Sequence, residues 1–374
     1  MSWTLNLYIA RVFLTFAVFA FLAVFALIMI VDLVELMRDN KRGAADFSEL
    51  VGMALLHAPS ITIKAAPFTV LLASMICFAT LANRSELVVT RAAGVSALRV
   101  IAPALLTAAV LGVVAFAVYN PIASAFATRF EHLQEQYFDK SSSSLTVSAD
   151  GVWLRQGDET GQTVVRAQRA SGTIERLWDV NVFQFDKSDR LYRRLDARSA
   201  ELEPQYWRLN GVSQWTIDLD NSPVSVGDVS ESIATKSGEV LIPTDLTSAR
   251  IVESFAAPET ISFWALPGFI SLLEKSGFSS DRHWMHLISL LSTPIVFVAM
   301  VLIGAAFSMR HARFGGLGTM ALGCVLTGFG YFFLSDVTAA LGASGAVPVT
   351  LAGWVPPFAA VLLALGLLLH LEDG

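Results

Sequence analysis

Charged residues are sparse in this chain, and the most distinctive group of them lies between two long apolar runs. Residues 83–95, NRSELVVTRAAGV, bring Arg84, Glu86 and Arg91 close together. Arginine and glutamate form charge-assisted hydrogen bonds with oppositely charged groups, so the chemistry on offer here is ionic recognition. Residues 83–95 are called the charged segment below.

The charged segment is predicted to fold as a short helix. Ser85 can cap its start, and Glu86 then lies in the first turn, where the helix dipole favours an acid. The apolar stretch Leu87–Val89 is expected to be exposed, and Gly94 can turn the chain into the next apolar run. Two interpretations follow from composition: a solvated loop whose arginines only set membrane topology, or a docking helix for a partner.

The sequence offers no arrangement for bond-breaking chemistry. It contains neither the G-x-x-x-x-G-K-[ST] pattern nor any Gly-Lys pair, so nucleotide phosphates cannot be bound in the P-loop manner. His283 and His286 can share one helical face, but no acid or cysteine completes a metal set, and no Ser, His and Asp grouping forms a triad. We expect no enzyme activity, cofactor or metal in this chain; if ATP drives it, a separate subunit binds the ATP.

The composition indicates an integral membrane protein. Of the 374 residues, 54% are hydrophobic and only 16% are charged, whereas soluble proteins are about a quarter charged. Six uncharged runs reach or approach the roughly 20 residues that cross a bilayer as a helix. They are residues 12–31, 65–83, 100–128, 287–309, 314–335 and 351–369. Cys77 and Cys324 fall inside these runs and are expected to pack as small apolar residues.

The polar middle of the chain is predicted to be an all-β domain. From about Ser141 the apolar period drops towards two, and Asn210-Gly211 lies between alternating segments, a hairpin signal. The expected fold class is therefore membrane α-helical with an inserted sandwich or jelly roll, with three spans on each side. The predicted core of the insert is Val180, Val182, Phe183, Phe185, Trp207, Leu209, Trp215 and Ile217.

The distribution of basic residues predicts the orientation. With the N-terminus in the cytoplasm, the inside segments carry Arg11, then Arg84, Arg91 and Arg99, then Arg310 and Arg313. The outside segments carry Arg38, Lys41, Arg42 and Lys64, and nothing basic between Asp336 and Leu351. This bias modestly favours both termini inside, which places the β domain outside and the charged segment in the cytoplasm.

The charged segment resembles the cytoplasmic coupling segment of the lipopolysaccharide-export permeases, the LptF/LptG (YjgP/YjgQ) family, and its R-S-E-L-V-V form is most like the LptG branch. The resemblance covers nearly the whole chain, including Pro59 and Pro67 ahead of the segment and W-R-L at 207–209. It implies a coupling helix near 84–95 within residues 1–138, a periplasmic β-jelly-roll at 139–252, and a connector with the last three helices at 253–374.

The resemblance also implies partners and a location. The family works in the bacterial inner membrane, where a permease pairs with a sister subunit (LptF-like) and a cytoplasmic ATPase dimer (LptB-like) binds ATP and Mg. Lipopolysaccharide then passes to a periplasmic jelly-roll bridge and a single-span subunit (LptC/LptA-like); no nucleic acid is involved. Carried over, Arg84, Ser85, Glu86, Leu87 and Arg91 would contact the ATPase.

Headgroup binding is assigned by the same resemblance to the basic residues of the outer mouth. Lipopolysaccharide carries phosphates, and Arg38, Lys41, Arg42 and Lys64 have the charge and depth to meet them. The chain departs from the family by having Met29 and Ile30 late in the first span, and Ser60 after Pro59, where LptG-like proteins tend to carry lysines. A solvated loop with a snorkelling lysine is the alternative.

Competing functions remain open on sequence alone. The first is a permease subunit that extracts lipopolysaccharide, powered by a separate ATPase. The second is a mechanotransmitting module that passes force to its external domain without moving lipid. The third is a membrane-anchored scaffold whose β domain binds a partner. A basic outer mouth favours the first over the second, and a dispensable Glu86 would favour the third.

Overall fold

The structure is a computed structural model of the 374-residue chain. It describes residues 3–40, 45–92, 94–138, 144–148, 151–158, 161–170, 176–186, 190–203, 205–216, 235–244, 257–275, 279–311 and 317–373. By Cα proximity the chain divides into two compact units, one of residues 1–138, 259–264 and 281–374, the other of residues 139–258 and 265–280. The first unit contains the apolar helices and the second contains the β sheet.

Six helical segments among the described residues are long and apolar enough to cross a membrane, which confirms the predicted three spans on either side of an insert. The helices are α1 (Trp3–Asp39), α2 (Phe47–Asn83), α3 (Glu86–Ala92), α4 (Ala97–Val114), α5 (Asn120–Phe138), α6 (Leu266–Lys275), α7 (Asp281–His311), α8 (Leu317–Ala343) and α9 (Val349–Asp373). A π-helical turn, Ala115–Tyr119, joins α4 to α5 within the third span, and a 3₁₀ turn spans Pro258–Thr260.

Helices α1 and α2 are longer than a bilayer requires. Each has 37 residues, about 55 Å at 1.5 Å per residue, against a hydrocarbon core of about 30 Å. Helix α2 begins at Phe47, well before the apolar run that starts at residue 65, so much of the connection between the first two runs is helical. The local cause is a cap, in which the Asp46 N–H donates to Glu49 Oε2 at 2.7 Å. Beyond it Leu50 and Met53 pack in one cluster with Leu36 of α1 and Phe130 of α5.

Helix α7 lies against α2 and α4 through small residues, as membrane helices commonly do. A Cβ added at Gly112 of α4 would lie 2.4 Å from Cα of Pro294 in α7. Ser74 Oγ of α2 donates to the Val301 carbonyl of α7 at 3.0 Å. Cys77 and Cys324 are free and fully buried, which confirms their predicted packing role.

The second unit contains one antiparallel sheet whose strands pair in consecutive order. They are β1 (Ser144–Ser148), β2 (Gly151–Asp158), β3 (Gly161–Ala170), β4 (Arg176–Phe185), β5 (Leu191–Glu203), β6 (Tyr206–Thr216) and β7 (Thr235–Pro243). The sheet curls, because Gln156 of β2 donates to the Pro243 carbonyl at 3.1 Å and accepts a bond from Thr244 Oγ1 at 2.7 Å. The expected inserted β domain is confirmed.

One face of the sheet forms the core of this unit. Val180, Val182, Trp207 and Leu209 are almost fully buried there, as predicted, together with Leu273 of α6. The other predicted aromatic residues are on the opposite face: Phe183 and Trp215 flank Arg194, whose guanidinium lies 5.6 and 5.4 Å from their ring centres, and Phe185 is half-buried. Their assignment to the core is wrong because side chains alternate between the two faces along β4 and β6, and these three aromatic residues lie on the face opposite to the buried one. Ile217 lies outside the described residues.

The Asn210-Gly211 pair is not a hairpin turn. Strand β6 runs through it, and Asn210 pairs with both Ser199 of β5 and Glu239 of β7. Gly211 has φ +65°, a conformation that favours glycine, and it reverses the alternation so that Val212 follows Leu209 onto the buried face. The sequence signal for positive φ was correct, but the chain uses it inside a strand.

Candidate functional site

The charged segment forms a tight connection between α2 and α4. Arg84 ends α2, and Ser85 has φ +61°, a left-handed conformation that redirects the chain. Its carbonyl accepts the first bond of α3, from the Val89 N–H at 3.1 Å, so Ser85 occupies the position that was predicted to start the helix. Gly94, at φ +81°, then turns the chain towards α4, also as predicted.

Helix α3 has an inward and an outward face. Leu87 is 7% exposed and belongs to the apolar core of the membrane helices, whereas Val89 is 68% exposed. The predicted exposure of Leu87 is wrong, because a seven-residue helix held close to α2 and α4 turns one side towards their packed interior. Arg84 is exposed; the side chains of Val88 and Arg91 lie outside the described residues.

Glu86 is connected to the first membrane helix. Tyr8 Oη of α1 donates a hydrogen bond to Glu86 Oε1 at 3.2 Å. The carboxylate is half-exposed and keeps a second oxygen for another partner. The charged segment thus contacts α1 through Glu86 and the shared core through Leu87. Sequence reasoning missed the part of Tyr8, which appears as an ordinary aromatic residue near the start of an apolar helix.

A polar cavity lies at the opposite end of the membrane helices. It has a volume of about 330 Å³ and opens between α2, α7, α8 and α9. Ionisable and hydroxyl side chains line part of it, among them Lys64, Glu259, His286, Ser289, Thr293, Ser335 and Asp336. Asp336 was expected to end the fifth span, but α8 continues to Ala343 and Asp336 faces the cavity from inside the helix.

Lys64 lies on α2 about one bilayer thickness away from the charged segment. Nineteen residues separate it from Asn83, about 29 Å of helix and close to the thickness of a bilayer core. Its Nζ donates to Glu259 Oε1 at 3.1 Å. Partial burial acts to raise the pKa of the Glu259 carboxyl, but the charge of Lys64 together with hydrogen bonds from Lys64 and the backbone outweighs it, and the pKa is lowered. The pair is therefore ionised at neutral pH and is lost only as the pH falls through that lowered value.

No contact among the described residues joins Lys64 to another predicted headgroup residue. Arg38 lies exposed in the last turn of α1. Lys41 and Arg42 lie outside the described residues. Among the described residues, no group of three or more His, Cys, Asp or Glu side chains is placed to hold a metal ion.

A buried acid and a histidine join the first two membrane helices. Asp32 of α1 is 6% exposed, and its Oδ1 lies 2.8 Å from His57 Nδ1 of α2. The imidazole of His57 stacks on Phe130 of α5, with ring centres 4.2 Å apart. Three helices therefore meet at this pair. Asp32 directly follows the uncharged run 12–31, and nothing in the sequence pairs it with a residue 25 positions away.

Comparison with known proteins gives consistent results. The family described as "Lipopolysaccharide export system permease LptF/LptG" matches residues 7–370. The chain is 24% identical over 336 residues to the lipopolysaccharide export system permease protein LptG of Escherichia coli K12, covering 88% of each chain. It is 23% identical over 347 residues to the LptG protein of Haemophilus influenzae, covering 91% of each.

Proposed function

This chain belongs to the LptF/LptG family of lipopolysaccharide export permeases, and we propose that it extracts lipopolysaccharide from the inner membrane and passes it to a periplasmic bridge. ATP hydrolysis is supplied by a separate ATPase dimer that binds ATP and Mg. The termini and the charged segment lie in the cytoplasm, and the β domain lies in the periplasm.

The arrangement of α3 is the observation that carries this proposal. A motor that displaces α3 acts on three helices at once, because Leu87 is packed in their shared core and Glu86 is bonded to Tyr8 of α1. The outward side of α3 presents Val89, with Arg84 exposed beside it, to a docking partner. A solvated loop that only sets topology needs neither the buried anchor nor the link to α1.

The remaining partners are assigned to the membrane helices, to the edges of the sheet and to the predicted headgroup residues. A sister permease (LptF-like) would pair through the membrane helices, where α1 and α8 carry long exposed apolar stretches. The edge strands of the described sheet, β1 and β7, can receive strands of a jelly-roll bridge and of a single-span subunit (LptC/LptA-like) by β-augmentation. Lys64, with Arg38, Lys41 and Arg42, would bind the phosphates of the lipopolysaccharide headgroup.

The coupling role is tested by co-purification with the ATPase and sister permease of the same genome, comparing the wild type with Glu86→Lys. We expect the wild-type complex to hydrolyse ATP faster when lipopolysaccharide is added. With the variant, the ATPase should dissociate from the permease, or the stimulation of ATP hydrolysis by lipopolysaccharide should fall at least about tenfold. The reason is that a reversed charge in a desolvated contact costs several kcal/mol.

Glu201→Lys is the matched control, because it reverses the charge of an acid in an exposed ion pair of the β sheet. It should assemble and respond like the wild type. If Glu86→Lys also assembles and keeps lipid-stimulated hydrolysis, the charged segment is only a loop, and a membrane-anchored scaffold that moves no lipid becomes the better hypothesis.

A further inference from the structure

Lys64 already has a counter-ion supplied by this chain. Glu259 lies in the 3₁₀ turn that follows the β domain, and its Oε1 accepts a hydrogen bond from Lys64 Nζ at 3.1 Å. The two side chains are 59% and 34% exposed, so neither is sealed away from an incoming group. Ion pairs of this exposure contribute about 0.2–1 kcal/mol, which makes the pair exchangeable.

The segment that carries Glu259 is held in place by other bonds. The Phe263 N–H donates to Asn120 Oδ1 at 2.8 Å, and Trp264 Nε1 donates to the Ala117 carbonyl at 3.1 Å. Ala117 lies in the π-helical turn of the third span, and the Phe263 ring also contacts Phe116 there. Glu259 can therefore leave Lys64 while the segment stays docked, and it remains beside the site as a competitor.

The cavity around the pair has a mostly apolar lining with polar groups beside Lys64, and Asp336 adds a second acid to it. Ser289, Thr293 and Ser335 supply hydroxyl groups, and His286 Nε2 is buried with no hydrogen-bond partner among the described residues. A phosphate monoester brings about 1.5–2 negative charges and three terminal oxygens at neutral pH. A phosphodiester, as in ordinary phospholipids, has one charge, the same as the Glu259 carboxylate.

We propose that Glu259 is an internal competitor at the Lys64 site: its carboxylate occupies the ammonium group until a lipid phosphate displaces it, and it thereby lowers the affinity of the site for anionic headgroups. This inference rests on the proposed headgroup role of Lys64 and adds the residue that limits its affinity. An internal competitor lowers the affinity for every anion by the same factor, so a lipid that binds strongly through a phosphate monoester still displaces it.

The test uses the whole complex, with sister permease and ATPase, in nanodiscs of phosphatidylethanolamine. Binding of bisphosphorylated lipid A and of phosphatidylglycerol is measured by native mass spectrometry for the wild type, Glu259→Gln, Lys64→Gln and the double variant. We expect Glu259→Gln to tighten the binding of both phosphatidylglycerol and lipid A about two- to five-fold, because the competing carboxylate is removed. Lys64→Gln should weaken lipid A binding, and the double variant should match Lys64→Gln.

Controls separate the outcomes. Glu201→Gln removes the acid of another exposed ion pair and should change neither lipid. Glu259→Asp keeps the charge but shortens the side chain, and should tighten the binding of both lipids by less, which guards against misfolding of the amide variant. Inorganic phosphate forms the second arm: displacement of lipid A by an equal concentration of phosphate would assign the site to the free ion and overturn its assignment to a lipid.

Failure of the inference and failure of the headgroup role look different. If Lys64→Gln weakens lipid A binding while Glu259→Gln leaves the binding of both lipids unchanged, Glu259 is not a competitor and the inference is wrong. If Lys64→Gln leaves lipid A binding unchanged, Lys64 is no headgroup ligand, and both that role and the inference are overturned.

Discussion

Three carboxylates of the membrane unit bond to side chains that are distant in sequence. Glu86 accepts a bond from Tyr8, Lys64 is bonded to Glu259, and Asp32 to His57. Each pair connects two different segments of the membrane unit. An acid in or beside a membrane helix is a functional candidate by default, but the Asp32 pair has a clear structural role at the joint of α1, α2 and α5.

Removing that acid should loosen the joint. Asp32→Ala deletes the acceptor for His57 and leaves the imidazole without it, and such losses cost about 1–3 kcal/mol. We expect a lower melting temperature of the purified chain. Asp39→Ala is the control on the same helix, since Asp39 is exposed, and it should melt like the wild type. Equal melting of both variants would show that the Asp32 pair contributes nothing to stability.

At the scale of residues, the sequence predicts correctly those features that depend on adjacent positions in the chain. The start of α3 at Ser85 and the turn at Gly94 follow from a few adjacent residues and were predicted correctly. Leu87 was placed on the wrong side, because its burial is decided by the packing of α2 and α4 around a short helix. Tyr8 and Glu259 were missed because their partners lie 78 and 195 positions away.

At the scale of elements, close packing fixes how the third and fourth spans meet. Gly112 of α4 and Pro294 of α7 touch through their backbones, and the π-helical turn begins three residues after Gly112. Such turns are frequent at functional sites. Here the freed Ala117 carbonyl accepts the Trp264 indole, which ties the segment carrying Glu259 to the third span.

Adding a methyl group at this contact should separate the two helices. Gly112→Ala places a Cβ 2.4 Å from Cα of Pro294, and overpacking of this kind costs about 1–3 kcal/mol. We expect a lower melting temperature. Gly52→Ala is the matched control in α2, where a Cβ meets nothing within 4 Å. It should be neutral or stabilising by up to about 1 kcal/mol, because alanine is the better helix former. A Gly112→Ala protein that melts with the wild type would contradict the contact.

The existence and order of elements were predictable, and their limits were less so. Long apolar runs specify membrane helices almost by themselves, since lipid leaves the backbone no other way to satisfy its hydrogen bonds. The extension of α2 back to Phe47 was missed, because the cap formed by Asp46 and Glu49 was not recognised and the packing of Leu50 and Met53 on α1 and α5 cannot be seen in the sequence. Likewise the β insert was evident from its period, whereas Gly211 shows that a turn signal can be used inside a strand.

At the scale of the whole molecule, assigning one loop to a side of the membrane assigns all the others, because the spans alternate in direction. If all six candidate helices of the described residues cross the membrane, both termini lie on one side and the sheet, inserted after three of them, lies on the other. The positive-inside bias favours a cytoplasmic charged segment, which the proposed coupling to a cytoplasmic ATPase requires. The polar cavity would then open towards the periplasmic face, where a lipid leaves the membrane.

Two single cysteines test this orientation in living cells. Cys77 and Cys324 are fully buried, so a cysteine introduced at an exposed site supplies the reactive thiol. Val89→Cys, on the outward side of α3, should react with a membrane-impermeant maleimide only after the inner membrane is permeabilised. Ser344→Cys, exposed after α8, should react once the outer membrane alone is opened. Bound ATPase should protect Val89→Cys and leave Ser344→Cys reactive. The reverse labelling order would place α3 outside the cell and remove the physical basis for coupling to a cytoplasmic motor.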